Sequence, residues 1–327
     1  MIGHDPEYGT AENYRRFAAD EAGERSPLYE EFANGVAADP ELLAFLESLP
    51  AEKRQPNLLF ASVRYLAGLL PGYGAFRGTV LDRREEVAAV MLARRTQTNE
   101  PARCATLLPA LASLPQPLAL LEVGASAGLC LLPDRYAYAY GTHRIDGDPG
   151  GPVFACQVRG PVPLPAQSPR VAWRAGIDLN PLDVTDPDDV HWLSCLVWPG
   201  EGDRAERLGA AIELARLDPP PIVRGDLVDR LAETAAGAPS EATLVVFHSA
   251  VLAYLTPERR AQFAEAVRAL GAVWLSNEAP GVLSHLPGFP SDLPAPDPGP
   301  APFLLTRGGR EPLAFVDGHG AWIRWFA

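Results

Sequence analysis

The sequence has no long hydrophobic run and no leader-like start. No apolar run approaches the roughly 18 residues that a membrane-spanning helix requires. The first residues, MIGHDPEYGT, lack both the basic start and the apolar stretch of a secretion signal. We therefore expect a cytoplasmic protein that has no membrane partner.

Positive charge is also scarce. The chain carries 28 Lys and Arg residues against 41 Asp and Glu residues, which gives a formal net charge of −13 at pH 7. Such a chain repels a polyanion on average, and no basic run offsets the imbalance. We therefore expect no nucleic-acid partner, with a local basic patch as the alternative left open.

Cysteine and histidine are few and dispersed. The four cysteines are Cys104, Cys130, Cys156 and Cys195, and no two of them form a C-x-x-C pair. The six histidines form no H-E-x-x-H or His-x-His motif. Because structural zinc sites use closely spaced ligand pairs, nothing in the sequence requires a metal. We expect free thiols, most of them buried.

Apolar residues, by contrast, make up 47% of the 327 residues, which suffices for a sizeable core. Up to about residue 117, they recur at three- and four-residue spacing, and prolines separate the repeats. This pattern is typical of amphipathic helices and predicts a helical N-terminal cap region over residues 1–116. Its segments are YRRFAADEA, LYEEFANGVA, PELLAFLESLP and NLLFASVRYLAGLL, with a further helix from Arg83 to about Arg95.

The pattern changes at Leu118, where short apolar strands begin to alternate with helices. The predicted strands are LALLEV, RVAWRAGIDLN, PPIVRGD, ATLVVFHS and AVWLSNE. The predicted helices include one over residues 127–140 and two in which proline follows an N-cap residue, at Pro187 and Pro257. This alternation predicts an α/β fold, in which helices cover both faces of a mostly parallel sheet.

Two predicted hairpins interrupt this alternation. HRIDGDPGGPVFACQVRG indicates a β-hairpin insertion with its turn at residues 148–151. FLLTRGG and AWIRWFA indicate a terminal hairpin, and the proline-rich residues 287–302 before it indicate a loop. Ligands of parallel sheets bind beyond the carboxyl ends of the strands, so the residues directly after each strand are the candidates for a site.

The segment after the first strand, Glu122 to Gly128, fits two chemistries. Gly124-Ala-Ser126-Ala-Gly128 matches G-x-S-x-G, the turn that presents a nucleophilic serine in α/β-hydrolases. With Glu122 included, the motif is E-x-G-x-x-x-G, in which bare backbone and the start of a helix favour a cofactor. We favour the cofactor loop, because the preceding region is helical, no HGGG-like segment lies upstream and Glu122 has no role in the hydrolase motif. A purely structural turn is the third interpretation.

Acids after the next two strands are the other cofactor candidates. Asp178 follows the second strand, where a carboxylate can accept hydrogen bonds from a ribose diol. Asp146 lies closer to the usual spacing of about 20 residues after the loop, but in a turn-rich segment. Asp226 follows the third strand and can accept from an adenine amine. The structural alternatives are an Asx turn at Asp178 and a helix cap at Asp226.

Polar residues after the later strands, and just before the first, are the candidates on the substrate side. His248 ends the fourth strand, where an imidazole can act as a general base near neutral pH. The alternatives are a hydrogen-bonded histidine that shapes its loop and, for the segment before the sheet, a plain helix stop and restart. Trp192 and Trp198 are expected to be packing residues. The substrate-side candidates are Asn99, Glu100, Arg103, Ser249, Asn277 and Glu278.

The order of these motifs is similar to the pattern of class I S-adenosylmethionine-dependent methyltransferases. The shared features are E-x-G-x-x-x-G, an acid after the second strand, Gly-Asp after the third strand and a terminal hairpin. More closely, the chain resembles a bacterial family catalogued as domain of unknown function 2332. The matching stretches are TQTNE, LLEVGASAGL, DRYAY, WRAGIDLNPLDVTDP, WLSCLVWP, VRGD and VVFHSAVLAYL.

The methyltransferase resemblance implies a Rossmann-like domain over residues 117–327 that binds S-adenosylmethionine. Two features depart from that pattern: a long insertion precedes Asp178, and no substrate motif such as N-P-P-Y is present. The methyl acceptor therefore stays open. The residues implied at the cofactor are Glu122, Gly124, Ser126 and Gly128 at its methionine and ribose end, Asp178 at the ribose and Asp226 at the adenine.

The sequence thus predicts an S-adenosylmethionine-dependent methyltransferase that acts on an unidentified small molecule. The helical region would cap the site, and His248 would serve as a base only where the acceptor must lose a proton. Two alternatives stay open. One is a cofactor-binding protein that has lost catalysis, and the other is a serine hydrolase that uses Ser126 with His248 or His285.

Overall fold

The computed structural model describes residues 8–23, 25–97, 99–286, 288–290, 292–296 and 302–326. The chain divides into two compact units. Met1–Thr98 and Asp186–Glu206 form the helical unit, and Asn99–Thr185 and Arg207–Ala327 form the sheet unit. The domain division that the sequence predicts, after residue 116, stays a prediction. Part of the predicted 287–302 loop lies outside the described residues.

Helices fill the N-terminal region and then alternate with strands. They are α1 (Thr10–Arg16), followed by a π-helical segment Phe17–Ala22, α2 (Pro27–Ala37), α3 (Pro40–Glu47), α4 (Pro56–Ala67), α5 (Tyr73–Asp82), α6 (Arg84–Ala93), α7 (Arg103–Ala112), α8 (Pro187–Cys195), α9 (Gly202–Leu217), α10 (Leu227–Ala235), α11 (Pro257–Ala269) and α12 (Pro280–Leu283). Proline occupies the first turn of α2, α3 and α4, and the Asp39 carboxylate caps α3. The predicted helical N-terminal region is confirmed in its described part.

An aromatic cluster forms the core of the helical unit. Phe32 stacks on Phe76 with 4.5 Å between ring centroids, and Phe17 lies 5.2 Å from Trp198. Pairs of this kind contribute about 0.5–1.5 kcal/mol beyond the burial of their area. Trp192 is fully buried and Trp198 is 7% exposed. Both are packing residues, as the sequence predicts.

A nine-stranded mixed sheet is the core of the sheet unit, and its order is β5-β12-β11-β10-β9-β8-β1-β6-β7. The strands of the unit are β1 (Leu118–Val123), β2 (Ala137–Tyr140), β3 (His143–Ile145), β4 (Val153–Ala155), β5 (Gln157–Arg159), β6 (Val171–Asp178), β7 (Ile222–Arg224), β8 (Thr243–Ser249), β9 (Val273–Glu278), β10 (Phe303–Arg307), β11 (Glu311–Val316) and β12 (Trp322–Trp325). The neighbours β7, β6, β1, β8 and β9 are mutually parallel, which confirms the α/β class. The chain moves outward from β1 in both directions, so a topological switch lies between β1 and β8.

The segment after β1 differs from the prediction. The helix predicted over residues 127–140 is wrong, because only a 3-10 turn, Leu129–Leu131, forms before the chain enters β2. Pro133 is the physical reason, since it has no amide proton and disfavours a helical residue before it. Alternating alanine and tyrosine in β2 suit a strand with one well-buried face.

The predicted hairpin insertion also pairs differently. β2 lies between β3 and β4 in a three-stranded sheet, antiparallel to β3 and parallel to β4. The hairpin is therefore β2–β3, which turns at Gly141 with φ of 64°. The predicted turn at residues 148–151 instead lies in the connection between β3 and β4. β2 takes the central position because Tyr138 and Tyr140 are buried.

The C-terminal strands form an antiparallel meander rather than a single hairpin. β10 pairs with β9 and β11, and β11 pairs with β12. The two segments predicted as hairpin partners therefore do not pair with each other, because β11 lies between them. Sequence analysis missed β11 because Pro312 interrupts its apolar pattern, and proline weakens a strand assignment.

The two faces of the parallel sheet bury different side chains. One face, which α10 and α11 cover, contributes Leu121, Ile177, Val246 and Trp274 to a large apolar core. Successive side chains of a strand point to opposite faces. His248 and Glu278 therefore share this α10–α11 face. The residues on the opposite face are Glu122, Asp178, Ser249 and Asn277.

Candidate functional site

The carboxyl ends of the parallel strands collect most of the residues that the sequence singles out. β1 lies between β6 and β8, and β9 lies beside β8, so the loops after these four strands are neighbours. The segment before α7 reaches the same edge. Asn99 donates from Nδ2 to Ser126 Oγ, and Arg103 Nη1 donates to the Ser249 carbonyl at 3.3 Å.

The loop after β1 has an unusual backbone. Gly124, Ser126 and Gly128 all have left-handed φ, at 72°, 52° and 71°. β6 holds the loop, because the Gly124 amide donates to the Ile177 carbonyl at 2.8 Å and the Ser126 amide donates to Asp178 Oδ2 at 2.8 Å. A serine with positive φ is strained, and such strain recurs at functional sites.

The fold itself requires both glycines of this loop. A Cβ at Gly124 would overlap the side chain of Val251, whose Cγ1 would be 3.1 Å away. A Cβ at Gly128 would lie 2.7 Å from Pro220 Cγ and 3.1 Å from Ile222 Cδ1. Protein side chains therefore fill the space that the missing Cβ atoms leave. Close approach of a ligand to this backbone stays a prediction.

Asn99 secures the other side of the loop. Its Oδ1 accepts from the Ala127 amide at 3.0 Å, while its Nδ2 contacts Ser126 Oγ. Neither histidine proposed for the hydrolase is a partner of this hydroxyl. His248 lies on the other face of the sheet, and His285 is exposed beyond α12. The Ser126 hydroxyl therefore bonds Asn99 rather than either of these histidines, and the hydrolase stays an alternative.

Asp178 makes the Asx turn that was its structural alternative. Its Oδ1 accepts from the Asn180 amide at 2.7 Å, and its Oδ2 accepts from the loop. Each carboxylate oxygen can accept a second hydrogen bond, so contact with a ribose stays a prediction. Asp146 is exposed and follows β3 of the small sheet rather than a strand of the parallel edge.

Asp226 caps α10. Its Oδ1 accepts from the amides of Val228 at 2.8 Å and Asp229 at 3.3 Å, and it also pairs with Arg259. The capping alternative is therefore present in the structure. Contact of Asp226 with an adenine stays a prediction.

Glu122 is a buried acid with one carboxyl oxygen that no described residue bonds. It is 6% exposed, and the oxygen in question is Oε2. Burial raises the pKa of Glu122 well above its usual range, the thiol of Cys130 and the charge of Asp178 raise it further, and Arg103 partly opposes them. The Glu122 side chain therefore favours the neutral acid, which has one hydrogen to donate.

Arg103 is a buried cation at the start of α7. It is 4% exposed, and its Nε donates to the Gly318 carbonyl at 2.8 Å in addition to the bond with Ser249. Within the described ranges, no carboxylate forms an ion pair with this guanidinium. Glu100 is also buried, and its Oε1 accepts from the Ala102 amide at 3.2 Å in the same turn.

Asn277 and Ser249 complete the polar side chains on this face. Asn277 Nδ2 donates to Ser249 Oγ at 2.9 Å. Asn277 is fully buried, and its Oδ1 has no partner among the residues that the structure describes. Buried polar atoms without partners are rare, and each calls for an explanation such as a ligand or an ordered water.

His248 lies in a satisfied network on the α10–α11 face. Trp274 Nε1 donates to His248 Nε2 at 3.0 Å, so the ring proton is on Nδ1 and points to Glu278 Oε1 at 2.8 Å. The same Oε1 accepts from the amides of Val251 at 2.7 Å and Leu252 at 2.8 Å. Both ring nitrogens of His248 are engaged, which favours its structural alternative; catalysis by His248 stays a prediction.

Three residues that sequence analysis missed shape the site. Trp274 sets the tautomer of His248, Val251 packs against Gly124, and Cys130 lies beside Glu122. Each contact joins different loops or strands, and no local motif signals it. The register of the sheet is what brings these residues together.

Two classes of feature are not found in the part of the chain that the structure describes. No group of three or more His, Cys, Asp or Glu side chains there is arranged to hold a metal ion. No helix there is both long and apolar enough to cross a membrane. The four cysteines are free thiols and all are buried.

Comparison with known proteins shows the family. Its profile, described as an uncharacterized protein conserved in bacteria (DUF2332), matches residues 11–69 and 71–325. The chain belongs to this family. No match was found among curated proteins or among solved structures.

Proposed function

We propose that the carboxyl edge of the sheet unit binds S-adenosylmethionine and that the protein transfers its methyl group to a small molecule. The supporting observation is Glu122. A buried acid with an oxygen that no described residue bonds lies near the end of β1, beside a left-handed loop and at the topological switch of the sheet. Ligands of doubly wound sheets bind at this place.

The order of the five parallel strands supports a Rossmann-like sheet of the class I methyltransferase type. The terminal strands depart from that type, because β10, β11 and β12 follow β9 as a simple meander and no late strand is inserted between earlier ones. The loop after β1 departs too, since a 3-10 turn follows it in place of a helix. The proposal therefore does not rest on a helix dipole.

The chain would hold the cofactor with groups already at the edge. Glu122, the strained Ser126 loop and the Asp178 carboxylate would contact its amino-acid and ribose parts, and Asp226 would lie on the adenine side. When bound, the cofactor supplies an electrophilic methyl group on a sulfonium. The protein would hold the acceptor in line with that bond, and orientation of this kind lowers barriers by as much as about 7–11 kcal/mol.

The first experiment is native mass spectrometry of the purified protein, followed by titration with S-adenosylhomocysteine. We expect co-purified cofactor or product, and saturable binding of one equivalent. Binding without methyl transfer to any acceptor would identify an inactive cofactor-binding protein. Labelling of Ser126 by a fluorophosphonate, abolished in Ser126→Ala, would identify a serine hydrolase. Absence of binding at millimolar ligand would overturn the proposal.

A further inference from the structure

Arg103 differs from the other arginines that have little exposed side chain. Arg94 and Arg174 are each 17% exposed in their side chains and bind Asp189 at 2.7 Å and Asp134 at 2.9 Å. Arg204, at 14%, binds a glutamate at 2.8 Å. Arg103 is nearly buried, its hydrogen bonds go to two backbone carbonyls, and its guanidinium carbon lies 5.9 Å from the centroid of the Phe303 ring, with no carboxylate paired to it among the described residues. A buried charge without a counter-ion is strongly unfavourable unless something else compensates it.

Glu122 is a second buried polar group, and no described residue bonds its Oε2. Glu122 lies opposite Phe247 in the register of β1 and β8, and Arg103 donates to the carbonyl of Ser249, two residues further along β8. The two side chains therefore lie at the same end of neighbouring strands, and among the described residues they form no ion pair with each other. A neutral carboxyl group can donate one hydrogen bond. One anion placed between the two groups would accept from both and would neutralise the guanidinium.

We propose that Arg103 and Glu122 together bind an anionic group of a small-molecule ligand, as carboxylate, sulfate or phosphate. Glu122 donates as the neutral acid, and Arg103 supplies the charge. The inference names a ligand class for the proposed site, yet it stands on these two side chains and does not require the ligand to be S-adenosylmethionine. Both residues keep a small exposed fraction, 6% for Glu122 and 4% for Arg103.

Inorganic sulfate is the probe, because it stays ionised at every working pH. Sulfate is titrated calorimetrically into wild-type protein and Arg103→Gln at constant ionic strength. We expect the variant to bind sulfate about tenfold more weakly or worse, because it loses a charge-assisted hydrogen bond. Arg260→Gln is the matched control: Arg260 also donates to two carbonyls, of Leu252 at 2.8 Å and Val282 at 3.4 Å, and it is partly buried. Arg260→Gln should bind sulfate with the same affinity as the wild-type protein.

A pH series with Glu122→Gln tests the second group. The charged or titratable groups that interact with Glu122 are Arg103 and Cys104 of α7, Cys130 after the loop, Tyr136 before β2 and Asp178 of β6. Ionised Glu122 would repel the anion, so wild-type affinity should fall as pH rises. The amide of Glu122→Gln still donates, so this variant should bind sulfate at every pH without that fall.

Several results would overturn the inference. They are equal sulfate affinity in wild type and Arg103→Gln, loss of affinity in Arg260→Gln of the same size, and no saturable sulfate binding. If Arg103→Gln does not fold, the pH series decides alone. A flat wild-type profile, or a decline that persists in Glu122→Gln, would then count against it.

Two further ligands distinguish whether the anionic group belongs to the cofactor or to the methyl acceptor. S-adenosylhomocysteine carries an amino-acid carboxylate, and methylthioadenosine does not. If the anion is that carboxylate, Arg103→Gln weakens only the first ligand, by about tenfold or more. If the anion belongs to the methyl acceptor, neither ligand changes and only sulfate binding is lost. Arg103-dependent sulfate binding without any binding of adenosyl ligands would uphold this inference and remove the proposed function.

Discussion

Two buried glutamates lie near the carboxyl ends of β1 and β9 in the same sheet, and they differ in the groups that surround them. Glu278, on the α10–α11 face, is 1% exposed and accepts from His248 and two backbone amides. Glu122, on the opposite face, is 6% exposed and has one oxygen without a partner in the part of the chain that the structure describes. Two acids with similar burial therefore differ in how many hydrogen-bond donors surround them, and this difference supports the proposed role of Glu122.

The same contrast extends to their neighbours. Around Glu278, both nitrogens of His248 and the indole of Trp274 are bonded. On the opposite face, Arg103 lacks an anionic partner and Asn277 Oδ1 lacks a donor among the described residues. Ser276 Oγ on the α10–α11 face also lacks a partner among the described residues, so the contrast holds for the two glutamates and their direct neighbours and not for every polar atom of the two faces. We infer that the His248–Glu278 network stabilises the fold, and we propose the surroundings of Glu122 as the place for a ligand.

The largest effect should come from the satisfied glutamate. Glu278→Ala leaves buried donors unpaired, so we expect the free energy of unfolding to fall by about 3–5 kcal/mol. Glu122→Ala is the matched variant and should lose no more than about 1–2 kcal/mol, because no described donor bonds the Glu122 Oε2. Urea denaturation measures both. Equal losses would break the distinction between the two faces.

The packing of Val251 on Gly124 predicts the next effect. Gly124→Ala combines a left-handed φ with overlap, so it should lower stability by about 2–4 kcal/mol. Val251→Ala in the same chain removes the overlap and should restore about 1–2 kcal/mol of this loss. A double-mutant cycle by chemical denaturation measures the coupling. If the stability losses of the two single substitutions simply add, the Val251 side chain does not limit the space at Gly124.

The third prediction compares Asp178, which bonds the loop after β1, with Asp146, an exposed acid that follows β3 of the small sheet. Asp178→Ala should weaken binding of S-adenosylhomocysteine by about 1–3 kcal/mol, which is about ten- to a hundredfold. Asp146→Ala, at an exposed position, should leave it unchanged. Calorimetric titration gives both values. An unchanged affinity in Asp178→Ala, or a matching loss in Asp146→Ala, would remove Asp178 from the site.

The smallest effect is a pH dependence of stability. Burial raises the pKa of Glu122 in the folded protein above its usual 4.5, so the unfolded chain loses this proton first as pH rises. Folding stability should therefore decline above about pH 4.5 through this group. Glu122→Gln lacks the decline, so its stability relative to wild type should increase with pH. If the difference in free energy of unfolding between Glu122→Gln and wild type stays constant from acid to neutral pH, folding does not raise the pKa of Glu122.

The sequence predicts the parallel strands and many helix starts because their signals are local. Asp186 and Thr256 cap helices at the predicted proline steps, and both side chains accept from the first-turn amides. The polar residues after each strand come together because parallel strands end at one edge. The location of the candidate site therefore follows from the pattern alone.

The chemistry of the site does not follow in the same way. The apolar run Leu129–Leu131 is too short to distinguish helix from strand, and Pro133 decides it. The bond between Trp274 and His248 depends on register between β8 and β9, which no local motif encodes. Which face each acid occupies, and hence which acid keeps an oxygen without a partner, becomes visible only once the sheet is assembled.

A crystal structure of the protein soaked with S-adenosylhomocysteine tests the central claim most directly. The account predicts that the ligand lies at the carboxyl ends of β1 and β6, on the face of Glu122 and Arg103. The His248–Glu278 network should be unchanged. Density elsewhere, or an edge that stays closed over Gly124 at saturating ligand, would contradict it.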